Sequence, residues 1–182
     1  VLLDGQVGGK MYSHSHHKMT EQGKLAHTLN GRLPGTEFYM SKDDPRIATA
    51  GLSPQDGMYM IAPGVVKNDD GSFSKNTKVV TVESYYKEYY RMANVETNTF
   101  STDFLKLREM RLEYKLPGST LKKTPFSKAS IAFYARNLFC ITDYPLFDPE
   151  SAALNGSSMV TGVETGSLPT ARTFGLNINL SF

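Results

Sequence analysis

The sequence has one cysteine, Cys140, among 182 residues, which excludes an internal disulfide framework and any metal site built from several thiolates. An excess of charge of one sign is also missing. Twenty basic residues against 18 acidic ones leave a net charge of +2, so there is no polyanion footprint and no nucleic-acid partner is expected. No stretch approaches the roughly 18 to 20 consecutive apolar residues of a membrane helix. A transmembrane barrel does without one, because each strand turns only alternate side chains to lipid. No nucleophile motif marks a Ser/His/Asp or Cys/His set, and no enzyme activity is expected. "VLLDGQVGGKMYS" opens the chain without an initiator Met or a signal peptide, and the chain is read as a piece of something longer. A chain of this length has one domain as its default.

What is present is a period of two in four places. In Val1 to Tyr12 the apolar Val1, Leu3, Val7 and Met11 alternate with Asp4, Gln6 and Lys10. "MRLEYKL" sets Met110, Leu112, Tyr114 and Leu116 against Arg111, Glu113 and Lys115. "SIAFYARN" sets Ile131, Phe133 and Ala135 against Tyr134 and Arg136. "FGLNINLSF" places Phe174, Leu176, Ile178, Leu180 and Phe182 on one parity, with Gly175, Asn177, Asn179 and Ser181 on the other. Each fits the strand template better than the helical one. Leu105 and Leu107 fall on the wrong parity for the second strand, which predicts a bulge near Arg108. The segments have about the nine to eleven residues that a tilted strand needs to cross hydrocarbon.

The connections add a rhythm. Nearly ninety residues separate the first two strands, "PGSTLKKTPFSKA" joins the second to the third, and about thirty lead to the last. Long, short, long is the pattern of an outer-membrane barrel with long external loops. On that reading Met110, Leu112, Tyr114, Ile131, Phe133, Phe174, Leu176, Ile178, Leu180 and Phe182 face lipid, and Arg111, Glu113, Lys115, Arg136, Asn177 and Asn179 face the lumen. Soluble alternatives exist. Alternating strands with polar turns also build a β-sandwich of the carbohydrate-binding or adhesion kind, and a secreted β-rich hydrolase would need an acid/base pair in a cleft.

Several phrases together resemble the C-terminal end of SusC/RagA-type TonB-dependent outer-membrane transporters of Bacteroidetes. They are "LLDGQVGGKMYS", "FLKLREMRLEYKLP" at Phe104 to Pro117, "ARNLFCITDYPLFDPES" at Ala135 to Ser151, and "LPTARTFGLNINLSF". They occur in the family's order, and the likeness is thinnest from His14 to Ala93. The resemblance implies an all-β fold in which residues 1–182 supply about the last four strands of a 22-stranded barrel. The implied partners are the rest of the barrel and a plug, a SusD-like surface lipoprotein, TonB through a segment outside this chain, outer-membrane lipid, and a glycan or oligopeptide substrate. No cofactor is implied.

Four local features stand apart. "HSHH" would put His14 and His16 on one face if extended, with His17 adjacent and His27 further on. Without a thiolate or a well-spaced carboxylate, solvated loop histidines are favoured and no metal site is assigned. "ESYYKEYYRM" reads as a helix with Ser84 near its N-cap and Tyr85/Tyr89 and Tyr86/Tyr90 paired at i,i+4. Those four tyrosines are candidate ligand or partner contacts, set against the plainer role of pinning a loop. In "YPLFDPES", Asp148 is expected to cap a turn, and Tyr144 and Phe147 to mark an aromatic girdle. Asp148 and Glu150 are assigned no shared chemistry. "KNDDGS" within "GVVKNDDGSFSKN" predicts a hairpin.

Overall fold

The computed structural model describes residues 1–55, 57–146, 148–151, 153–155 and 158–182. It divides into two compact units, Val1–Met11 with Phe100–Phe182, and Tyr12–Thr99.

The first unit is built on a four-stranded sheet of β1 (Leu2–Gln6), β2 (Phe104–Lys115), β3 (Lys128–Thr142) and β4 (Thr173–Ser181). Spatial order equals chain order and every pairing is antiparallel, so the sheet is a meander. The fold of the chain is all-β in class, with a few short helices. The first strand is shorter than its alternation suggests. Gly8 and Gly9 take φ of 84° and 96°, a left-handed conformation that ends β1. Gly8 N–H then donates to Asp103 Oδ1 at 2.6 Å, and Thr102 N–H to the Gly9 carbonyl at 3.3 Å. These bonds hold the two arms of the ninety-residue excursion side by side.

The expected irregularity at Arg108 is present. Leu2 pairs with Glu109 and Leu3 with Leu107, leaving Arg108 as an extra residue against β1. On the other side Glu109 pairs with Arg136 and Leu107 with Phe139, so Asn137 and Leu138 face Arg108 alone. Asn137 takes φ of 52°, which an asparagine tolerates better than most residues. One inserted residue reverses the parity of a strand, and Leu105 and Leu107 thereby join the face of Met110 and Leu112. Between β2 and β3 the turn contains a one-turn helix, Gly118–Leu121, that buries Leu121. Between β3 and β4 the loop carries a small ladder of Ala153–Asn155 and Ser158–Val160.

The second unit, where the strand pattern is weakest, holds more helix than the sequence predicts. It contains α1 (His14–Glu21), α2 (Pro45–Thr49) and α3 (Val82–Tyr89). Helix α1 corrects the extended reading of "HSHH". Ser13 is its N-cap and accepts the His16 N–H at 3.0 Å, offsetting one of the donors that a helix start leaves orphaned. Helix α3 is the one anticipated, but its cap is Thr81, which accepts the Ser84 N–H at 3.1 Å. Asp44 caps α2, with Pro45 at the first position, where a missing N–H costs nothing. Strands Tyr59–Ile61 and Val79–Thr81 pair beside two small cores, one of Met40, Ile47, Tyr59 and Val79, the other of Met60, Val82 and Tyr86. The anticipated hairpin pairs Val65–Lys67 with Phe73–Lys75, turning at Gly71 with φ of 84°.

Candidate functional site

Registers sort the side chains of the sheet into transverse rows. Leu112, Phe133 and Leu176 form one row, Tyr114, Ile131 and Ile178 the next, and Met110, Ala135 and Phe174 another. Leu180 lies opposite Ala129, and Phe182, just past β4, tilts against the Phe126 ring at 5.1 Å. The intervening rows are Arg111, Tyr134 and Gly175, then Glu113, Ala132 and Asn177, then Lys115, Ser130 and Asn179. Arg136 sits opposite Glu109 and donates to it at 3.1 Å. Two faces of opposite chemistry therefore back one another across a single layer.

The apolar face is bare. Leu176 is 61% exposed and Ile178 59%, and Leu112, Tyr114, Ile131, Phe133 and Phe174 are exposed with them. A bare apolar face of this kind is the sort that another apolar surface covers. At about 25 cal/mol per Å² of apolar surface, covering it is strongly favourable. A β-sandwich would cover this face with a second sheet, and among the described residues none does so.

The polar face is partly covered by its own loop, through an ion cluster that alternation alone conceals. Lys106, 3% exposed, donates to Asp148 Oδ1 at 2.5 Å and also to Glu150. Arg108 binds Asp4 at 2.5 Å and also Glu150, while Thr170 donates to Asp148 Oδ2 at 2.7 Å. The Phe104 ring lies 5.2 Å from the Lys106 ammonium. Asp148 thus does more than cap a turn, though it does accept the Glu150 N–H at 3.1 Å. Burial by itself would raise its carboxyl; the hydrogen bonds from Lys106, Thr170 and that N–H outweigh burial and hold it below the ordinary 3.8. Simple parity puts Lys106 among the leucines of β2, and only the Arg108 bulge returns it to the charged face. Its clash with the alternation was the available signal. Tyr144 is no girdle residue: it is buried, edge-on to Phe100 at 6.0 Å. Phe147 lies outside the described residues.

In the second unit the histidines and tyrosines pack together. His16 stacks on His27 at 5.1 Å, and His27 on Tyr90 at 5.2 Å. His16 Nδ1 is hydrogen-bonded to Asn98 at 2.9 Å, and His17 bridges Tyr12 at 3.2 Å and Glu21 at 2.8 Å. Burial lowers the basicity of both His16 and His27. His16 and His17 are thus packed residues rather than solvated ones, and among the described residues no group of three metal-ligating side chains forms. The four tyrosines divide. Tyr86 is buried and its hydroxyl donates to the His27 carbonyl at 2.7 Å. Tyr85 and Tyr89 stack at 5.4 Å along a groove of about 610 Å³ that also takes in Leu52, Pro63, Lys78 and Asn94. Burial, with the neighbouring tyrosines, pushes Tyr85 up to about 12, so it stays a neutral phenol.

No family model matches the chain. It is 31% identical over 87 residues to the TonB-dependent receptor P3 of Formosa agariphila, covering 46% of this chain and 9% of the receptor. Among solved structures it is similar to the RagAB peptide importer in its open-open state, with 29% identity, a TM-score of 0.40, and coverage of 47% of this chain and 9% of that one. The closed-closed state of that importer matches at 23% identity and a TM-score of 0.40, over 63% of this chain and 11% of that one. The chain therefore spans only about a tenth of the length of these relatives. At such scores the superpositions add nothing to the sequence identity. In sequence the chain is similar to the SusC/RagA-type TonB-dependent receptors, which are outer-membrane proteins of Gram-negative bacteria.

Proposed function

We propose that this chain forms wall and mouth of an outer-membrane, TonB-dependent nutrient importer, as the C-terminal four strands of its barrel. The observation that carries the reading is the bare apolar face of Leu112, Phe133, Leu176 and Ile178 backed by a charged one. In this reading Met110, Leu112, Tyr114, Ile131, Phe133, Phe174, Leu176, Ile178, Leu180 and Phe182 meet lipid. Arg111, Glu113, Lys115, Arg136, Asn177 and Asn179 line the wet interior beside a plug. The free edges of β1 and β4 pair with further strands, because an unpaired edge in hydrocarbon costs several kcal/mol for each unsatisfied group. The loops receive a SusD-like surface lipoprotein, and the substrate is a glycan or an oligopeptide driven inward by TonB. Tyr85 and Tyr89 offer the flat surface for that substrate or partner; Tyr86 and Tyr90 hold the loop together.

The test is positional. In the full-length receptor, Ile178→Arg places a charge on the lipid side and costs about 2 to 4 kcal/mol near the midplane, so its surface level falls sharply. Asn177→Arg, on the other face, leaves the level close to wild type. Equal surface levels for the two variants would refute the membrane assignment. Growth on glycan or peptide as sole carbon source then separates the two substrate classes.

A further inference from the structure

We infer that the second unit contains a binding site for a carboxylate-bearing ligand, held by Arg32 and Lys24. The site is a cavity of about 630 Å³ whose apolar wall is Met58, Val82 and Tyr86. Its volume is in the range of ordinary small-ligand sites, and its mix of apolar wall and few polar groups is typical of them. Among the described residues the charges around it do not cancel. Glu83 is paired with Lys87 at 2.5 Å, and Glu21 is taken by His17 and Lys18 at 2.8 and 2.9 Å. Among the described residues, Arg32 and Lys24 have no acidic partner within ion-pair distance, and both line the cavity.

Arg32 Nη1 donates to the Gly23 carbonyl at 3.0 Å, and Lys24 follows Gly23 in the chain. That bond orients the guanidinium, and among the described residues no other hydrogen bond takes up its remaining donors. A planar fork of N–H groups matches a carboxylate in two-pronged fashion, while the lysine adds a second charge. Gly23 leaves room for the guanidinium. Its φ is 68°, and a Cβ there would meet Arg32 Nη1 at 2.9 Å. The cavity selects an acid group on a body that is partly apolar. Two sources carry it, an acidic sugar or the free C-terminus of a short peptide. The assignment rests on the loop-and-mouth reading above only for its role in import; binding itself does not depend on transport.

The experiment is a calorimetric titration of the full-length receptor in detergent with four probes. They are trigalacturonate, its methyl ester, trialanine, and trialanine amide. The expected result is that at least one free acid binds about tenfold or more tightly than its neutral counterpart, and the acid that does so names the source. Arg32→Gln abolishes that preference, Arg32→Lys keeps part of it, and Gly23→Ala weakens it by displacing the guanidinium. Lys24→Gln, at an exposed position, serves as a second variant and lowers affinity several-fold even if the Arg32 variants assemble poorly. Equal or absent binding of acid and neutral forms by folded receptor would overturn the site, as would a preference that survives in assembled Arg32→Gln protein. Binding without uptake by cells would count against the importer and leave this site standing. Uptake without acid preference would do the reverse.

Discussion

Lys106 carries a charge into a nearly dry place, and Asp148 and Glu150 make that tolerable. Removing the cation strands the buried Asp148 carboxylate of the loop, while Glu150 keeps Arg108. Lys106→Met should therefore cost about 3 to 5 kcal/mol in the docking of that loop, read as faster protease cleavage within residues 143–151 of the purified receptor. Removing Asp148 as well, in Lys106→Met/Asp148→Leu, should restore part of the protection, because the stranded charge goes with it. Acid acts on the same contact. The folded Asp148 carboxyl lies below its ordinary value of 3.8, so its contribution is complete above that pH and is lost as pH falls below it through the folded value. Pepsin digestion should therefore find the loop protected near pH 4 to 5 and released well below pH 3.8. Unchanged cleavage in Lys106→Met would show that the cluster does not dock the loop. None of these pairings is local in sequence. Asp148 and Glu150 stood out as a pair of carboxylates, but their partner is some forty residues away and on a parity that only a bulge corrects.

Strand β4 shows how an element depends on its neighbour. Gly175 pairs with Tyr134, whose ring lies across the space that a Cβ at 175 would fill, while Arg136 stands 5.9 Å from that ring. Gly175→Ala should push the ring aside, weaken the pairing of β3 with β4, and lower the yield of assembled receptor. The double variant Gly175→Ala/Tyr134→Ala should recover assembly, since the obstruction is gone. Failure of that rescue would place the glycine's role elsewhere, in the backbone of β4 itself. The strands were legible because a period of two survives any change of tertiary context. Their limits were less so: β1 stops at Gly8 and Gly9, and α1 begins on "HSHH", a run whose helix is secured by the Ser13 cap and by burial of His16 and His17. Propensity alone does not decide such a segment.

At the scale of the whole chain, the excursion Tyr12–Thr99 is a compact unit of its own, and its two arms are joined within the other unit by the Gly8–Asp103 and Gly9–Thr102 bonds. Replacing residues 12–99 with a short Gly/Ser linker should therefore leave the receptor inserted in the membrane, because closing so short a loop is entropically cheap and the strands keep their register. Insertion can be followed by the heat-dependent gel mobility of barrels. On the proposed importer reading, the same variant loses uptake and loses co-purification with a SusD-like lipoprotein. Loss of insertion would mean that the excursion is needed to form the sheet.

The sequence by itself determined the four strands, their order, their two-faced chemistry, the bulge at Arg108 and the helix through the tyrosines, since each follows from periodicity or spacing along the chain. Tertiary structure alone decided which side chains are paired across long separations: the Lys106 cluster, the stacked His16, His27 and Tyr90 rings, and the cavity beside Arg32. The physical reason is that a strand's pattern is written in neighbouring residues, whereas a buried charge or a stacked ring is stabilised by whatever distant group the fold brings against it.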